Sequence, residues 1–415
     1  WQIPPEEEFI KKSSGNINAT YFPKGNLVYI KEKNNDQIYL LAYCFDIYAD
    51  KPLKREYVYV DAASGKIITS ISRIRTTDTP GIAHTKYSGT QTIMTDSFNS
   101  QFRLRESGRG NGIETYNMLT GTNYSSAVDF TDNDNDWNNV NAQKDEVATD
   151  AHWSTEMTYD YFLTKFNRNS IDDAGFKLMS YVHYDVDYFN AFWDGERMTY
   201  GDGNSSNNPL TTLDICGHEV THGLDEKTAN LTYSDESGAL NEGYSDIFGT
   251  CIEWFARPSN ADWLLGQDIG SAFRDMSDPN ALGQPDTYLG NNWDPFGEVH
   301  QNAGVLAYWF YLTSEGGSGT NDNSDAYNIT GISMDSAAAV AYRTLTVYLP
   351  SSATYADARF YSVLSAIDLF GACSPEVETV TNAWYAVGVG STYSATVTSD
   401  FTASDTALCI VPYTV

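Results

Sequence analysis

The pentapeptide His218-Glu219-Val220-Thr221-His222 constrains this 415-residue chain more than any other stretch. On a helix the two imidazoles lie one turn apart on one face, the spacing that grips a zinc ion. The carboxylate of Glu219 then stands next to His218, where it can take a proton from a water beside the same metal. Two histidines do not close a site, so the motif requires a third ligand.

Glu242 supplies it, twenty residues after His222 within Asn241-Glu242-Gly243-Tyr244-Ser245-Asp246. Two His and one Glu leave a fourth position of a tetrahedral zinc open, as hydrolytic sites require. Asp246 follows Glu242 by one helical turn and shares its face. If the two helices pack antiparallel with Glu242 opposite His222, Asp246 falls opposite His218 and can orient that imidazole.

With these residues in view, the chain from about residue 84 to about 390 resembles the thermolysin family of zinc metalloendopeptidases. The resemblance rests on Asn190-Ala191-Phe192-Trp193, Tyr200-Gly201-Asp202-Gly203, the zinc helix, Arg274-Asp275-Met276-Ser277-Asp278-Pro279, Val299-His300-Gln301-Asn302-Ala303-Gly304 and Asn382-Ala383-Trp384-Tyr385-Ala386-Val387-Gly388. It implies an α+β fold with two lobes, β-rich first and helical second, with the zinc helix between them and a small β-rich prosegment domain in front. It also implies one catalytic Zn2+ held by His218, His222 and Glu242, with Glu219 as general base and Tyr233 and His300 as donors to the oxyanion. Arg274 would hold a substrate carbonyl, while Asn190 and the carbonyl of Ala191 would pin the peptide as an added strand. Phe273, Ile215, Leu265 and Ile269 fall where the family lines its main specificity pocket, so a hydrophobic residue is expected on the leaving-group side of the cut bond, in a pocket that Phe273 narrows.

The pattern breaks just before His300. Family members commonly place an Asp five residues before this His to orient it, and Pro295 stands there instead. Asp294, one residue earlier and carried as the candidate, and Glu298, two residues before the His, leave open which carboxylate takes over.

Asp214 precedes His218 by one turn, and Glu253 lies beyond Glu242 on the same helix face. With Asp262 and Gln267 they resemble the family's structural calcium site; Gln267 and Leu264 replace acidic positions of a double site, so a single Ca2+ is expected there. Asp132-Asn133-Asp134-Asn135-Asp136 sets carboxylates at alternate positions of a polar loop and resembles a second calcium loop. The bland alternative for that loop is a solvated acidic turn.

A net charge of -30 and a pI near 4.3 exclude nucleic acid as a partner, because its phosphates would be repelled. Protein or peptide substrates, the chain's own prosegment acting as intramolecular inhibitor and chaperone, and a monomeric state are expected instead. No apolar run reaches the roughly 18 residues of a membrane span. The chain begins at Trp1 rather than Met, as it would with a secretion signal removed or left out, and an extracellular location is expected.

The chain divides into a β-rich prosegment-like domain (1–75), a linker where processing occurs (76–83), a β-rich catalytic lobe ending in the zinc helix (84–224), a helical lobe (225–392) and the start of an appended β-type domain (393–415). Leu27-Val28-Tyr29-Ile30, Tyr39-Leu40-Leu41-Ala42-Tyr43 and Tyr57-Val58-Tyr59-Val60 read as strands, and 61–66 as a turn. Helices are expected from Lys144 to Thr164, Ser333 to Leu349, Tyr355 to Phe370 and Pro375 to Val387, with Thr211 or Thr212 capping the zinc helix. Of the 5 cysteines, Cys216 and Cys251 lie about 200° around their helices from the calcium-side ligands and should remain buried thiols. Cys373 and Cys409 can pair if the tail folds back; Cys44 sits in a strand. The competing readings are a latent or binding protein whose prosegment stays docked, and another zinc hydrolase using the same motif.

Overall fold

The computed structural model describes residues 22–32, 35–49, 54–72, 78–138 and 145–394, together with residues 11, 12, 17 and 20. The chain forms two compact units, Trp1–Thr77 and Asp78–Val415. In the first, β1 (Asn26–Glu32), β2 (Asn35–Ala49), β3 (Lys54–Asp61) and β4 (Ile67–Ser72) form an antiparallel meander in chain order. The expected turn joins β3 to β4. Asp61 Oδ1 accepts the Ser64 amide at 2.6 Å, and Gly65, at φ +71°, takes the left-handed conformation that closes it.

The second unit opens with β5 (Asp78–His84), β6 (Thr90–Phe98), β7 (Gln101–Arg103), β8 (Arg105–Glu106), β9 (Ile113–Asn117), β10 (Val128–Asp129), β11 (Thr131–Asp132) and β12 (Asp136–Trp137). Helix α1 (Asp145–Phe166) comes next, then β13 (Leu178–Val182), β14 (Ala191–Trp193) and β15 (Met198–Tyr200). One sheet runs β11-β7-β6-β5-β12; another runs β10-β9-β13-β15-β14, with β8 also on β9. The first corrects the expected linker: β5 starts at Asp78 and pairs with β6 along its whole length, so most of 76–83 is sheet. Alternation in β9, where Ile113, Thr115 and Asn117 are buried and Glu114 and Tyr116 are not, shows a strand with one face on the core. Helix α1 buries Trp153, Tyr161 and Phe162 into that core.

Helices α2 (Leu213–Glu226) and α3 (Asp235–Ala256) are packed against each other. Their approach depends on glycine. A Cβ on Gly249 would lie 2.4 Å from the carbonyl oxygen of Asp214, and one on Gly217 would lie 3.2 Å from the Cα of Gly249. Thr212 does hold the N-cap position of α2, but its hydroxyl donates to Asp214 Oδ1 at 2.5 Å rather than capping a backbone amide. The short strands β16 (Leu264–Leu265) and β17 (Arg274–Asp275) pair next, followed by α4 (Val299–Asn302) and α5 (Gly304–Glu315). The hairpin of β18 (Gly316–Thr320) and β19 (Ala326–Thr330) leads to α6 (Met334–Arg343), α7 (Tyr355–Phe370) and α8 (Pro375–Ala386). The helix expected through Leu349 changes at Thr344 into a π-helical turn ending at Tyr348. Stacked Trp309 and Trp384, with centroids 4.8 Å apart, join α5 to α8.

Cys44, Cys216 and Cys251 are free thiols, the last two buried as the helix-face argument requires. Cys373 is disulfide-bonded. Cys409 and the rest of 395–415, where the appended β-type domain is expected, lie outside the described residues.

Candidate metal centre and cleft

The close pairing of α2 and α3 brings His218, His222 and Glu242 together, with one ligand atom of each inside a 4.8 Å radius of the others. The two Nε2 atoms are 3.0 Å apart; Glu242 Oε2 lies 3.4 Å from His218 Nε2, and Oε1 lies 3.6 Å from His222 Nε2. Each ring is already fixed at its other nitrogen. His218 Nδ1 contacts Asp246 Oδ1 at 2.7 Å, as antiparallel pairing demanded. His222 Nδ1 contacts Asn241 Oδ1 at 2.5 Å, and the Asn241 amide donates in turn to Asp225 Oδ2 at 2.6 Å, which settles which way the amide faces. Both Nδ1 atoms therefore carry protons and both Nε2 atoms turn lone pairs inward.

Two lone pairs 3.0 Å apart beside a carboxylate repel unless a cation sits among them. Burial alone would lower His218, but Asp246 and Glu242 outweigh it and push the ring up to about 10. His222 falls to about 4 through burial and the charge on His218. Burial would raise Glu242, yet His218, His222 and His300 hold it well below the carboxylate range. Glu242 Oε2 is buried without a hydrogen-bond partner. This donor set, two neutral-capable imidazoles and one carboxylate with an unused oxygen, fits zinc.

Glu219 is buried on the same helix, and burial pushes its carboxyl up to about 7 against the pull of His218. Tyr233 donates to Glu242 Oε1 and lies 3.2 Å from His300 Nε2. His300 belongs to α4, and its Nδ1 contacts Glu298 Oε1 at 3.0 Å. That corrects the choice of Asp294, whose carboxylate accepts the Glu298 amide at 2.7 Å. Arg274 lines the cleft, and its guanidinium donates to Asp246 Oδ1 at 2.7 Å, the same oxygen that meets His218. The sequence reading missed Asn241 and Asp225; the helix pairing that found Asp246 also places Asn241 beside His222.

These groups line one cleft of 590 Å³, bordered by Glu219, Tyr233, His300 and Arg274. Asn190 and Ala191 border it too, and among the described residues β14 is the terminal strand of its sheet, with no strand paired to its outer edge. Phe273 and Ile215 line the cleft. Leu265 and Ile269 are buried core residues that do not line it, while Phe189 and Leu210 do.

The expected calcium ligands are less convergent. Among the described residues, the zinc set is the only trio of His, Cys, Asp or Glu ligand atoms within 4.8 Å of one another. Asp214 spends its oxygens on Thr212, the Ile215 amide and the Gly266 amide. Arg257 lies 2.7 Å from Asp268 and 3.7 Å from Glu253, placing a fixed cation beside these carboxylates. Burial, then the charge of Asp214, pushes Glu253 up to about 9. Asp262 Oδ1 accepts the Leu264 amide at 2.8 Å. In the acidic loop, Asp132 accepts the amides of Asp134 and Asn135 at 2.9 and 2.6 Å, Asp134 accepts that of Asp136 at 3.2 Å, and Asp136 pairs with His84 at 3.1 Å.

Residues 80–226 match the family model of the thermolysin metallopeptidase catalytic domain, and residues 229–389 match that of its alpha-helical domain. The chain is 39% identical over 353 residues to a bacillolysin of Bacillus cereus, with 81% of this chain and 59% of that protein covered. It is 35% identical over 373 residues to a thermolysin of Alicyclobacillus acidocaldarius, covering 84% and 66%. The chain thus spans less than two thirds of the length of these relatives. The precursor of protealysin, a metalloproteinase from Serratia proteamaculans, superposes with a TM-score of 0.55 at 30% identity, over 67% of this chain and 87% of that one.

Proposed function

The chain belongs to the thermolysin family of metallopeptidases, and from that premise we propose that it is a zinc-dependent endopeptidase made as a zymogen and exported from the cell. The observation that carries the proposal is the His218, His222 and Glu242 set, backed by Asp246 and Asn241 and opening into a cleft that Glu219 shares. Zinc, when bound, supplies a Lewis acid beside the attacked carbonyl. Glu219 takes the proton of the attacking water and passes it to the leaving amine. Its place on the zinc helix, next to His218 and lining the cleft, puts that carboxylate within reach of both transfers. Tyr233 donates to the oxyanion as charge grows on it, and His300 does so through Nε2 when that nitrogen carries a hydrogen in addition to the one on Nδ1. The outer edge of β14 receives the peptide backbone as an added strand, through Asn190 and Ala191. Arg274, anchored on Asp246, directs its remaining donors to a substrate carbonyl.

Phe273, Ile215, Phe189 and Leu210 support a preference for a hydrophobic residue on the leaving-group side. The separate four-stranded unit before Asp78, and the likeness to a protease precursor, support the zymogen reading, with that unit as inhibitor and folding aid. Among the described residues no helix is long and apolar enough to cross a membrane. Calcium binding through Asp214, Glu253, Asp262 and Gln267, and through Asp132, Asp134 and Asp136, remains part of the proposal, as does a monomeric state.

The test is Glu219→Gln. The variant should keep one zinc per chain and lose at least about a hundredfold in peptide turnover, the usual weight of a general base. Turnover equal to the parent would refute the assignment.

A further inference from the structure

We propose that Glu298 is the positioning residue for His300, serving at once as the cap of α4 and as the acceptor that aims the imidazole into the cleft; this rests on the peptidase reading above. The geometry begins with Asn302. Its side chain clamps Asp294 from both sides, the Oδ1 accepting the Asp294 amide at 2.8 Å and the Nδ2 donating to the Asp294 carbonyl at 3.0 Å. Pro295 then fixes one dihedral of a tight turn, and the Gly297 amide returns to the Asp294 carbonyl at 3.3 Å. Gly297 stands at φ +80°, and a Cβ there would lie 2.6 Å from Asp235 Oδ1, so the turn has little freedom to relax. Within it the carboxylate of Asp294 is consumed by the Glu298 amide at 2.7 Å. Asp294 shapes the turn and makes no contact with the imidazole.

That closure delivers Glu298 to the N-cap of α4 with both oxygens facing forward. Oε2 accepts the Gln301 amide at 2.6 Å, and Oε1 meets His300 Nδ1 at 3.0 Å. An ionised carboxylate can only accept, so Nδ1 carries the hydrogen and the ring cannot flip without losing the bond. Nε2 is left facing Tyr233 OH at 3.2 Å and Glu242 Oε1 at 3.5 Å. His300 and Glu298 are both about half exposed, 53% and 52% at their side chains. Packing alone therefore does not hold the ring, and the bond to Glu298 decides its orientation.

Capping and aiming can be separated. Glu298→Ser retains a good N-cap oxygen but cannot reach Nδ1. In the zinc-loaded protein, with kcat read once the first unit has been cleaved away, this variant should unfold at the parental temperature, lose the hydrogen-bonded His300 Nδ1 proton resonance, and drop about tenfold in kcat with little change in KM. Asp294→Ala should lower the unfolding temperature yet keep that resonance. In a His300→Phe background, Glu298→Ser should cost nothing further. If the resonance persists in Glu298→Ser, or disappears in Asp294→Ala, the inference is overturned whatever the activity. A further kcat loss from Glu298→Ser in the His300→Phe background overturns it as well. If His300→Phe alone leaves kcat intact, the role of His300 falls while the resonance still judges Glu298.

Discussion

Asp246 offers the sharpest perturbation, because one carboxylate oxygen holds two groups that pull the site in different ways. Asp246 is fully buried, and its Oδ1 meets both His218 Nδ1 and Arg274 Nη2 at 2.7 Å. Asp246→Ala strips the metal-binding imidazole of its partner and strands a guanidinium whose side chain is only 17% exposed and whose Nε already lacks a partner. Breaking a buried pair from one side costs about 3–5 kcal/mol, since the remaining charge is uncompensated. Loss of the imidazole's supporting acceptor weakens metal affinity by about 10–100-fold, or roughly 1.4–2.7 kcal/mol. The two terms separate experimentally in a Glu219→Gln background that cannot digest itself. Urea unfolding in chelator reads the first, and competitive zinc titration reads the second. Asp246→Asn, which keeps an acceptor oxygen but not its charge, should recover more zinc affinity than stability. If Asp246→Ala unfolds within about 1 kcal/mol of the parent and binds zinc within threefold, the account of a single anchoring oxygen fails.

Gly249→Ala would set a methyl 2.4 Å from the Asp214 carbonyl, backbone that cannot yield, so α2 and α3 must separate at a cost of about 1–3 kcal/mol in urea unfolding with weaker zinc binding. The nearest atoms to a Gly243→Ala methyl belong to the Leu306 side chain, Cδ2 at 2.8 Å and Cβ at 2.9 Å, rather than to backbone, so that change should cost less; equal costs would undo the close-approach argument. Glu253 tests calcium through pH. Its folded carboxyl is raised to about 9, so the fold binds the proton that the unfolded chain has released, and stability falls as pH rises from about 4.5 to about 9. In chelator, Glu253→Gln should remove that slope, measured by urea unfolding at both ends of the window. Added calcium should stabilise the parent at the alkaline end and not the variant. A calcium response that survives Glu253→Gln would exclude this carboxylate as a ligand.

The zinc set was legible because helical periodicity is local. Residues four apart share a face whatever the rest of the chain does, and antiparallel pairing then carried the argument from His222 and Glu242 to His218 and Asp246. The strands and turn of the first unit were legible through alternation and the Asp61 to Gly65 turn chemistry, and the edges of α1, α7 and α8 through their terminal residues. The linker was misplaced because the polar run from Asp78 to Gly81 looks loop-like until β6 lies beside it. Arg274 was assigned to substrate alone, since nothing near it in the sequence announces Asp246.

By itself, then, the sequence determined which residues could ligate a metal, which helix faces carried them and that a third ligand existed. Only the tertiary structure decided what surrounds them: Asn241 behind His222, Arg274 on the oxygen that orients His218, Arg257 among the carboxylates expected to hold calcium, and Glu298 rather than Asp294 beside His300. The division follows reach. A ligand's place on a helix depends on a few neighbouring dihedrals, whereas the partner of a polar side chain depends on where distant segments come to rest and which donors burial has already consumed.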